Sequence, residues 1–423
     1  MQGWISQRLA KASPVVFIIV AGLAGFSAYF SMYAFRKPFT AATFGVVPGW
    51  EFALDYKIAL VIAQAVGYAL SKLIGVKVIS EINPARRAVA ILGLISAAWL
   101  ALVGFAVIPA PWNVAFLFLN GLPLGMIWGL VFGYMEGRRT SEVLGALLCA
   151  SFIVSSGVVK SVGAWMILQL HITPFWMPAA TGGVFFPLLL ISVWLLSQLP
   201  PPNKADEAER VKRAPMTAKE RGAFIAAYAP GIVLLVAAYI LLNAFRDFRD
   251  NFAAEIWTAL GYGKEAGVFT ASELPVAVIA LAALAAVMVV RNNLRALMVI
   301  HAIVFLGFVL LGVSTLAFQA HWLAPLPWMI LAGAGLYMGY TPFNAMLFDR
   351  LIAYSGRIAT AGFLMYVADA AGYFGSVALL FWRNFGGFKL NWLQFFIASA
   401  YATSAIGGVL TVLAAIYFLR RRP

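Results

Sequence analysis

Twelve stretches of largely apolar residues follow one another along this chain, at approximately 14–43, 56–79, 87–108, 112–135, 142–169, 174–198, 223–259, 267–290, 296–317, 325–347, 358–381 and 392–419. Each is long enough to cross the hydrocarbon core of a bilayer as a helix, which takes ~20 residues. With 63% of residues hydrophobic and 11% charged, a water-soluble chain could not cover so much apolar surface. The expected fold is therefore an all-α integral membrane protein with twelve transmembrane helices. The first stretch is not read as a cleaved leader: it is too long, lacks a small-x-small exit and ends in "YAFRKPF". The first and seventh stretches are overlong, so each is expected to tilt or bend at its outer end.

The placement of charge orients the chain. With the N-terminus inside, the inner segments hold 20 of the 30 Lys and Arg residues, and the outer loops hold only Lys57, Lys264, Arg383 and Lys389. Cytoplasmic loops carry the excess of Lys and Arg, so both termini are expected in the cytoplasm. The net charge of +14 is accordingly read as topological, and no nucleic-acid partner is expected. Cys149 is the single cysteine, and His171, His301 and His321 are scattered. No disulfide, metal site, cofactor or enzymatic activity is expected.

The longest polar stretch, "SQLPPPNKADEAERVKRAPMTAKERGA", combines prolines with mixed charge and reads as a linker. It divides the chain into a six-helix bundle over 1–200, a cytoplasmic linker over 201–222 and a second six-helix bundle over 223–423. Repeated halves are a common transporter build, with the solute site near the midplane. The halves also echo each other. "GLPLG" at 121–125 matches "GLYMG" at 335–339. Tyr29, Tyr33, Arg36 and Thr40 share the spacing of Tyr239, Asn243, Arg246 and Asp250, which puts each set on one helix face.

Six basic residues fall inside the apolar stretches: Arg36, Lys37, Lys72, Lys160, Arg246 and Arg249. Asp247, Asp250, Glu273 and Asp369 lie in or beside the same stretches. A charge in hydrocarbon costs at least ~2.5 kcal/mol, so such residues usually face the bundle interior or a water-filled cavity. Arg36, Lys37 and Lys72 have the alternative of snorkelling to an interface. "FRDFRDNF" at 245–252 has the alternative of being a self-neutralising helix end. As a functional set they describe a solute cavity lined with positive charge. Arginine's planar fork suits phosphate or carboxylate, and lysine adds a movable point charge. The acids would serve as counter-ions or proton sites. In "GVKVISEINPARR", Glu81 and Arg86 sit where charge pairs could latch a cytoplasmic gate.

These stretches resemble the organophosphate:phosphate antiporters of the major facilitator superfamily. "YFSMYAFRKPFTAA" is similar to that family's first-helix motif, "GYALSKLIG" to its second-helix stretch and "SEINPARR" to its acid-to-"NPR" turn. "NGLPLGMIWG" and "ATAGFLMYVADAAGYFGSVA" resemble its fourth and eleventh helices. The resemblance implies an alternating-access fold and an anionic, phosphorylated solute. It makes Arg36 the substrate arginine of the first half, with Lys37 and Lys72 beside it, and matches Glu273 to a helix-eight acid. Arg246 and Arg249 compete for the second-half arginine, and the register with Tyr239 and Asn243 favours Arg246. The family's fifth-helix histidine has no counterpart, Lys160 lies about a turn beyond that position, and Asp369 is an additional acid. The whole pattern looks closer to an uncharacterised bacterial branch of the superfamily, whose members share the "FRDFRDNF" and "PFNAMLFDR" stretches.

The expectation is thus a secondary transporter of a small organic anion, phosphate or a phosphorylated or phosphonate solute, working by antiport or proton coupling. It is expected to act as a monomer in a bacterial cytoplasmic membrane, with the anion and the lipid bilayer as its partners. A transporter-like sensor of the same anion and a proton-coupled carboxylate symporter are the alternatives.

Overall fold

In a computed structural model the described residues are 4–135, 138, 140–202, 206, 218–355, 361–387 and 390–421; the side chains of 76–81, 141–142, 218–221, 361–363 and 366 lie outside the description. Most of the linker over 201–222 falls outside it too. The chain divides into two compact units, Met1–Val211 with Gly263–Thr270, and Lys212–Tyr262 with Ala271–Pro423.

The first unit contains α1 (Trp4–Ala10), α2 (Pro14–Tyr33), α3 (Tyr56–Glu81), α4 (Arg87–Val107), α5 (Asn113–Leu124), α6 (Ile127–Phe132), α7 (Ser141–Leu170) and α8 (Met177–Ser197). Ser13 caps α2, its hydroxyl accepting from the Val16 amide at 3.4 Å, with Pro14 at the first turn where no amide hydrogen is needed. In the second unit are α9 (Ala218–Asn251), α10 (Ala253–Ala259), α11 (Val268–Met288, whose residues up to Thr270 count with the first unit), α12 (Asn293–Gln319), α13 (Pro325–Ala345), α14 (Leu347–Ser355), α15 (Ala361–Phe385) and α16 (Trp392–Arg420). Among the described residues ten helical stretches are long and apolar enough to cross a membrane. Two further helices, α13 and α15, of 21 and 25 residues, complete the twelve of this multi-pass membrane fold.

Packing repeats between the units. In the first, α2 packs on α7 and α8, and α4 on α5 and α8. In the second, α9 packs on α15 and α16, and α12 on α13 and α16. Small residues let the backbones approach, as membrane helices require when lipid supplies no hydrophobic drive. A Cβ on Gly67 of α3 would lie 2.2 Å from the Phe118 carbonyl of α5, and one on Gly121 would lie 2.3 Å from the Gln64 carbonyl. Gly307 and Gly335 make the same reciprocal contact between α12 and α13, each 2.5 Å from the other's carbonyl.

Three apolar stretches are interrupted: the first and seventh, for which a tilt or bend at the outer end was expected, and the fourth, for which one continuous span was expected. The first stops as an α-helix at Tyr33, turns through 34–37 and resumes as a 3₁₀ turn over Pro38–Ala41. Arg36 and Thr40 therefore do not continue the helical face of Tyr29 and Tyr33. The fourth breaks at Gly125 and Met126, between α5 and α6. The seventh breaks at Phe252, between α9 and α10.

Candidate functional site

Irregular backbone at membrane depth must have its polar groups satisfied by protein. The break after Tyr33 meets that demand group by group. Asn120 of α5 donates to the Phe35 carbonyl at 2.9 Å, and Gln64 of α3 donates to the Arg36 carbonyl at 2.9 Å. The Thr40 hydroxyl donates to the Lys37 carbonyl at 2.7 Å. The Lys57 ammonium donates to the carbonyls of Thr40 and Ala42, both at 2.9 Å. Lys57 is thus not an outer-loop charge: it lies in the first turn of α3, 2% exposed, and caps the broken segment. Asn120 also donates to the Ala98 carbonyl at 2.9 Å and accepts from Gln64 at 2.7 Å, tying α3, α4 and α5 to the break. Asn120→Ala should lower thermal stability, by about 1–3 kcal/mol for each carbonyl left bare. Thermal unfolding of the purified protein measures this.

The break presents Arg36. Its guanidinium lies 3.8 Å from the centre of the Tyr68 ring and 5.7 Å from that of Tyr33. Lys72, one turn after Tyr68 on α3, places its ammonium 5.6 Å from the same ring. Tyr33 and Tyr68 are buried, while Arg36 and Lys72 are half-buried. A cation over a tyrosine face gains ~0.5–2 kcal/mol, and stacking occupies the guanidinium's faces while its N–H donors radiate in the plane. Lys37 is buried at the start of the 3₁₀ turn. Lys160 is buried on α7, its ammonium 5.8 Å from the Phe269 ring of the same unit.

The second unit also stacks an arginine on tyrosine. Arg246 of α9 lies 4.0 Å over the Tyr340 ring and 5.7 Å from that of Tyr337, both on α13. Here a carboxylate is already attached. Arg246 Nη2 donates to Asp247 at 2.8 Å and to the Asn243 side-chain carbonyl at 2.9 Å. From α15 the Ser376 hydroxyl donates to the other Asp247 oxygen at 3.0 Å and accepts from Asn243 at 3.1 Å. One turn back on α9, the Tyr239 hydroxyl donates to Asp369 at 2.5 Å and accepts from Asn344 at 3.4 Å. Gly372 permits this approach of α15 to α9, because a Cβ there would lie 2.9 Å from the Tyr239 ring and 3.0 Å from Asn243.

Arg249 is built differently. It donates to Glu273 of α11 at 2.7 Å and to the Met329 carbonyl of α13 at 2.9 Å. Its side chain is 3% exposed against 12% for Arg246. Gly333 leaves it room, since a Cβ there would fall 2.6 Å from the guanidinium. Glu273 is therefore the partner of Arg249. Asp250 is buried on α9. Of the two gate residues, Arg86 is exposed at the end of a 3₁₀ turn, and the Glu81 side chain lies outside the description. The engaged arginine of that loop is Arg87, which donates to the Gly133 carbonyl at 2.6 Å.

Several residues here carry no charge and escape a search for charges. Gln64, Tyr68 and Lys72 recur every four residues along α3. Tyr337, Tyr340 and Asn344 share a face of α13, as Asp369, Gly372 and Ser376 share one of α15. Those spacings are the available signal.

A sequence profile described as a family of unknown function (DUF5690) matches residues 38–421. No curated protein matches the chain. Solved structures with a similar fold include the D-xylose–proton symporter, at a TM-score of 0.60 and 16% identity over 96% of this chain and 97% of that one. The nucleoside transporter NupG aligns at a TM-score of 0.59 and 12% identity, over 95% of this chain and 99% of that one. The peptide transporter POT in complex with sulfate aligns at a TM-score of 0.60 and 15% identity, over 97% of this chain and 98% of that one. These likenesses establish the twelve-helix major facilitator fold. None of these three is an organophosphate antiporter, so that resemblance rests on the sequence motifs.

Proposed function

The chain belongs to the family of unknown function DUF5690, and we propose that it is a secondary transporter of a small organic anion working by alternating access. The observation that carries this reading is the pair of partly exposed arginines, Arg36 in the break after α2 and Arg246 on α9, each lying over a tyrosine ring about 4 Å away within an apolar membrane stretch. Stacking holds the fork in place, and the in-plane donors suit the oxygens of a carboxylate or phosphate. Arg246 already holds a carboxylate of this size, that of Asp247. An incoming anion would take over that position, and binding would bias the rocking equilibrium by differential affinity for the two facing states. Phosphate and phosphorylated or phosphonate solutes lead the proposal, on the strength of the motifs around Arg36 and Lys72. The membrane is proposed to be a bacterial cytoplasmic one, with both termini on the cytoplasmic side. The substrate screen is thermal unfolding of the purified protein with organic phosphates, phosphonates and carboxylates. A true ligand at 100 times its Kd stabilises by about 2.7 kcal/mol; a screen in which no anion stabilises contradicts the reading.

Proton-coupled carboxylate symport is the second reading. It is favoured by Asp369, an intramembrane acid receiving a 2.5 Å hydrogen bond from Tyr239. If Asp369 carries the proton, Asp369→Asn abolishes accumulation driven by a pH gradient while solute exchange continues. Gradient-driven accumulation by the Asn variant would place coupling elsewhere.

A further inference from the structure

The end of the second unit where α9 begins and α16 ends carries a different kind of site. α9 is interrupted at Tyr228, whose φ of −120° and ψ of 16° leave the helix two residues before Pro230. Proline removes a backbone donor and clashes with the preceding turn, so the kink has a local cause. At Gly231 the two helices are in close contact: a Cβ there would lie 2.5 Å from both Tyr417 and Phe418 of α16.

Arg421 closes this corner. Its guanidinium lies 4.9 Å from the Tyr228 ring and 5.8 Å from the Tyr417 ring, and it donates to the Tyr417 hydroxyl at 3.1 Å. Its backbone carbonyl accepts from the Tyr354 hydroxyl, which also donates to the Phe418 carbonyl at 3.2 Å. Arg421 is therefore oriented before any ligand arrives. Beside it an open groove of about 500 Å³ runs between Leu234 of α9 and Leu413, Ile416 and Tyr417 of α16, with Arg420 and Arg421 at its mouth. Leu413 and Ile416 are exposed on a membrane-spanning helix, where the surrounding medium is lipid. Arg420 is exposed as well, and among the described residues neither arginine has a carboxylate partner.

We propose that this groove binds an anionic phospholipid, its acyl chain along Leu234, Leu413 and Ile416 and its phosphate on Arg420 and Arg421. The walls match hydrocarbon and the mouth matches a phosphate at headgroup depth, where the end of a spanning helix lies. Two cations with no acid beside them among the described residues distinguish a net-negative headgroup from a zwitterionic one. A generic basic surface attracts anionic lipid only diffusely. Here the fixed Arg421 and the apolar groove add position to charge. The site is independent of what Arg36 and Arg246 bind.

The test titrates full-length protein in neutral detergent with phosphatidylglycerol or phosphatidylcholine and reads bound lipid by native mass spectrometry. Phosphatidylglycerol should bind more tightly to wild type. Arg420→Gln, at an exposed position whose side chain makes no hydrogen bond among the described residues, should weaken it about fivefold, and the Arg420→Gln/Arg421→Gln pair about 25-fold. Arg291→Gln, a surface arginine elsewhere, should leave it unchanged. Soluble glycerol phosphate should neither bind nor compete at matched concentration. Retained preference in Arg420→Gln, equal loss in Arg291→Gln, or competition by glycerol phosphate would overturn the proposal.

Discussion

Arg36→Lys should cut anion uptake by about 10- to 100-fold below saturation while the protein still inserts and unfolds at the wild-type temperature. The charge is kept, so a purely electrostatic role would survive the change. What is lost is the planar fork stacked 3.8 Å from Tyr68. A lysine offers a point charge and cannot present two parallel donors to one oxyanion. A charge-assisted hydrogen bond contributes ~1.5–3 kcal/mol, which sets the expected loss. The fold should be spared because the break around Arg36 is held by other side chains, Asn120, Gln64 and Lys57, acting on backbone carbonyls. Initial rates in proteoliposomes, paired with thermal unfolding, separate the two effects. Uptake that survives in the lysine variant would remove Arg36 from the site.

Arg249→Ala and Arg246→Ala should fail in opposite ways. Arg249 and Glu273 form a closed pair whose side chains are 3% and 7% exposed. Removing the arginine strands a buried carboxylate, which costs about 3–5 kcal/mol. The expected result is a poorly expressed or thermally weakened protein. Replacing both partners, Arg249→Met with Glu273→Leu, should recover most of that stability, because a well-packed apolar pair avoids the desolvation of both ions. Arg246→Ala leaves Asp247 with its bond from Ser376, so the fold should persist while uptake is lost. If instead Arg249→Ala is stable and inactive, the assignment of the second anion residue reverses.

The spans were legible because runs of ~20 apolar residues have one physical solution in a bilayer. The break at Tyr33 was legible only as a tilt or bend at the outer end of an overlong stretch; that Arg36, Lys37 and Pro38 mark the end of the α-helix was not, because Arg36 was placed by register on the helical face of Tyr29 and Tyr33. Lys57 was misplaced for a related reason: at the edge of an apolar run, a count of charges reads as loop what the fold uses as a backbone cap. Between Arg246 and Arg249 the sequence register favoured the first. The separation of their roles depends on Glu273 of α11 and Gly333 of α13, two and four helices further along the chain. Tyr68 entered only as part of the "GYALSKLIG" motif and Tyr340 went unnoticed, because an aromatic residue in a membrane helix is ordinarily packing, and only the third dimension puts a guanidinium on its face. The acids fared unevenly too: Glu273 is held in a buried pair, Asp369 accepts from Tyr239, and Asp247 lies in a hydrogen-bonded network with Arg246, Asn243 and Ser376.

The most direct measurement is solute counterflow in proteoliposomes. Vesicles are loaded with one unlabelled organic phosphate, phosphonate or carboxylate at a time, and the labelled form is supplied outside. The account predicts transient accumulation of label with at least one anion, no accumulation with neutral analogues of the same size, and loss of the signal in Arg36→Lys. Anion binding without counterflow would mark a sensor, and counterflow of neutral solutes unaffected by Arg36→Lys would contradict the account.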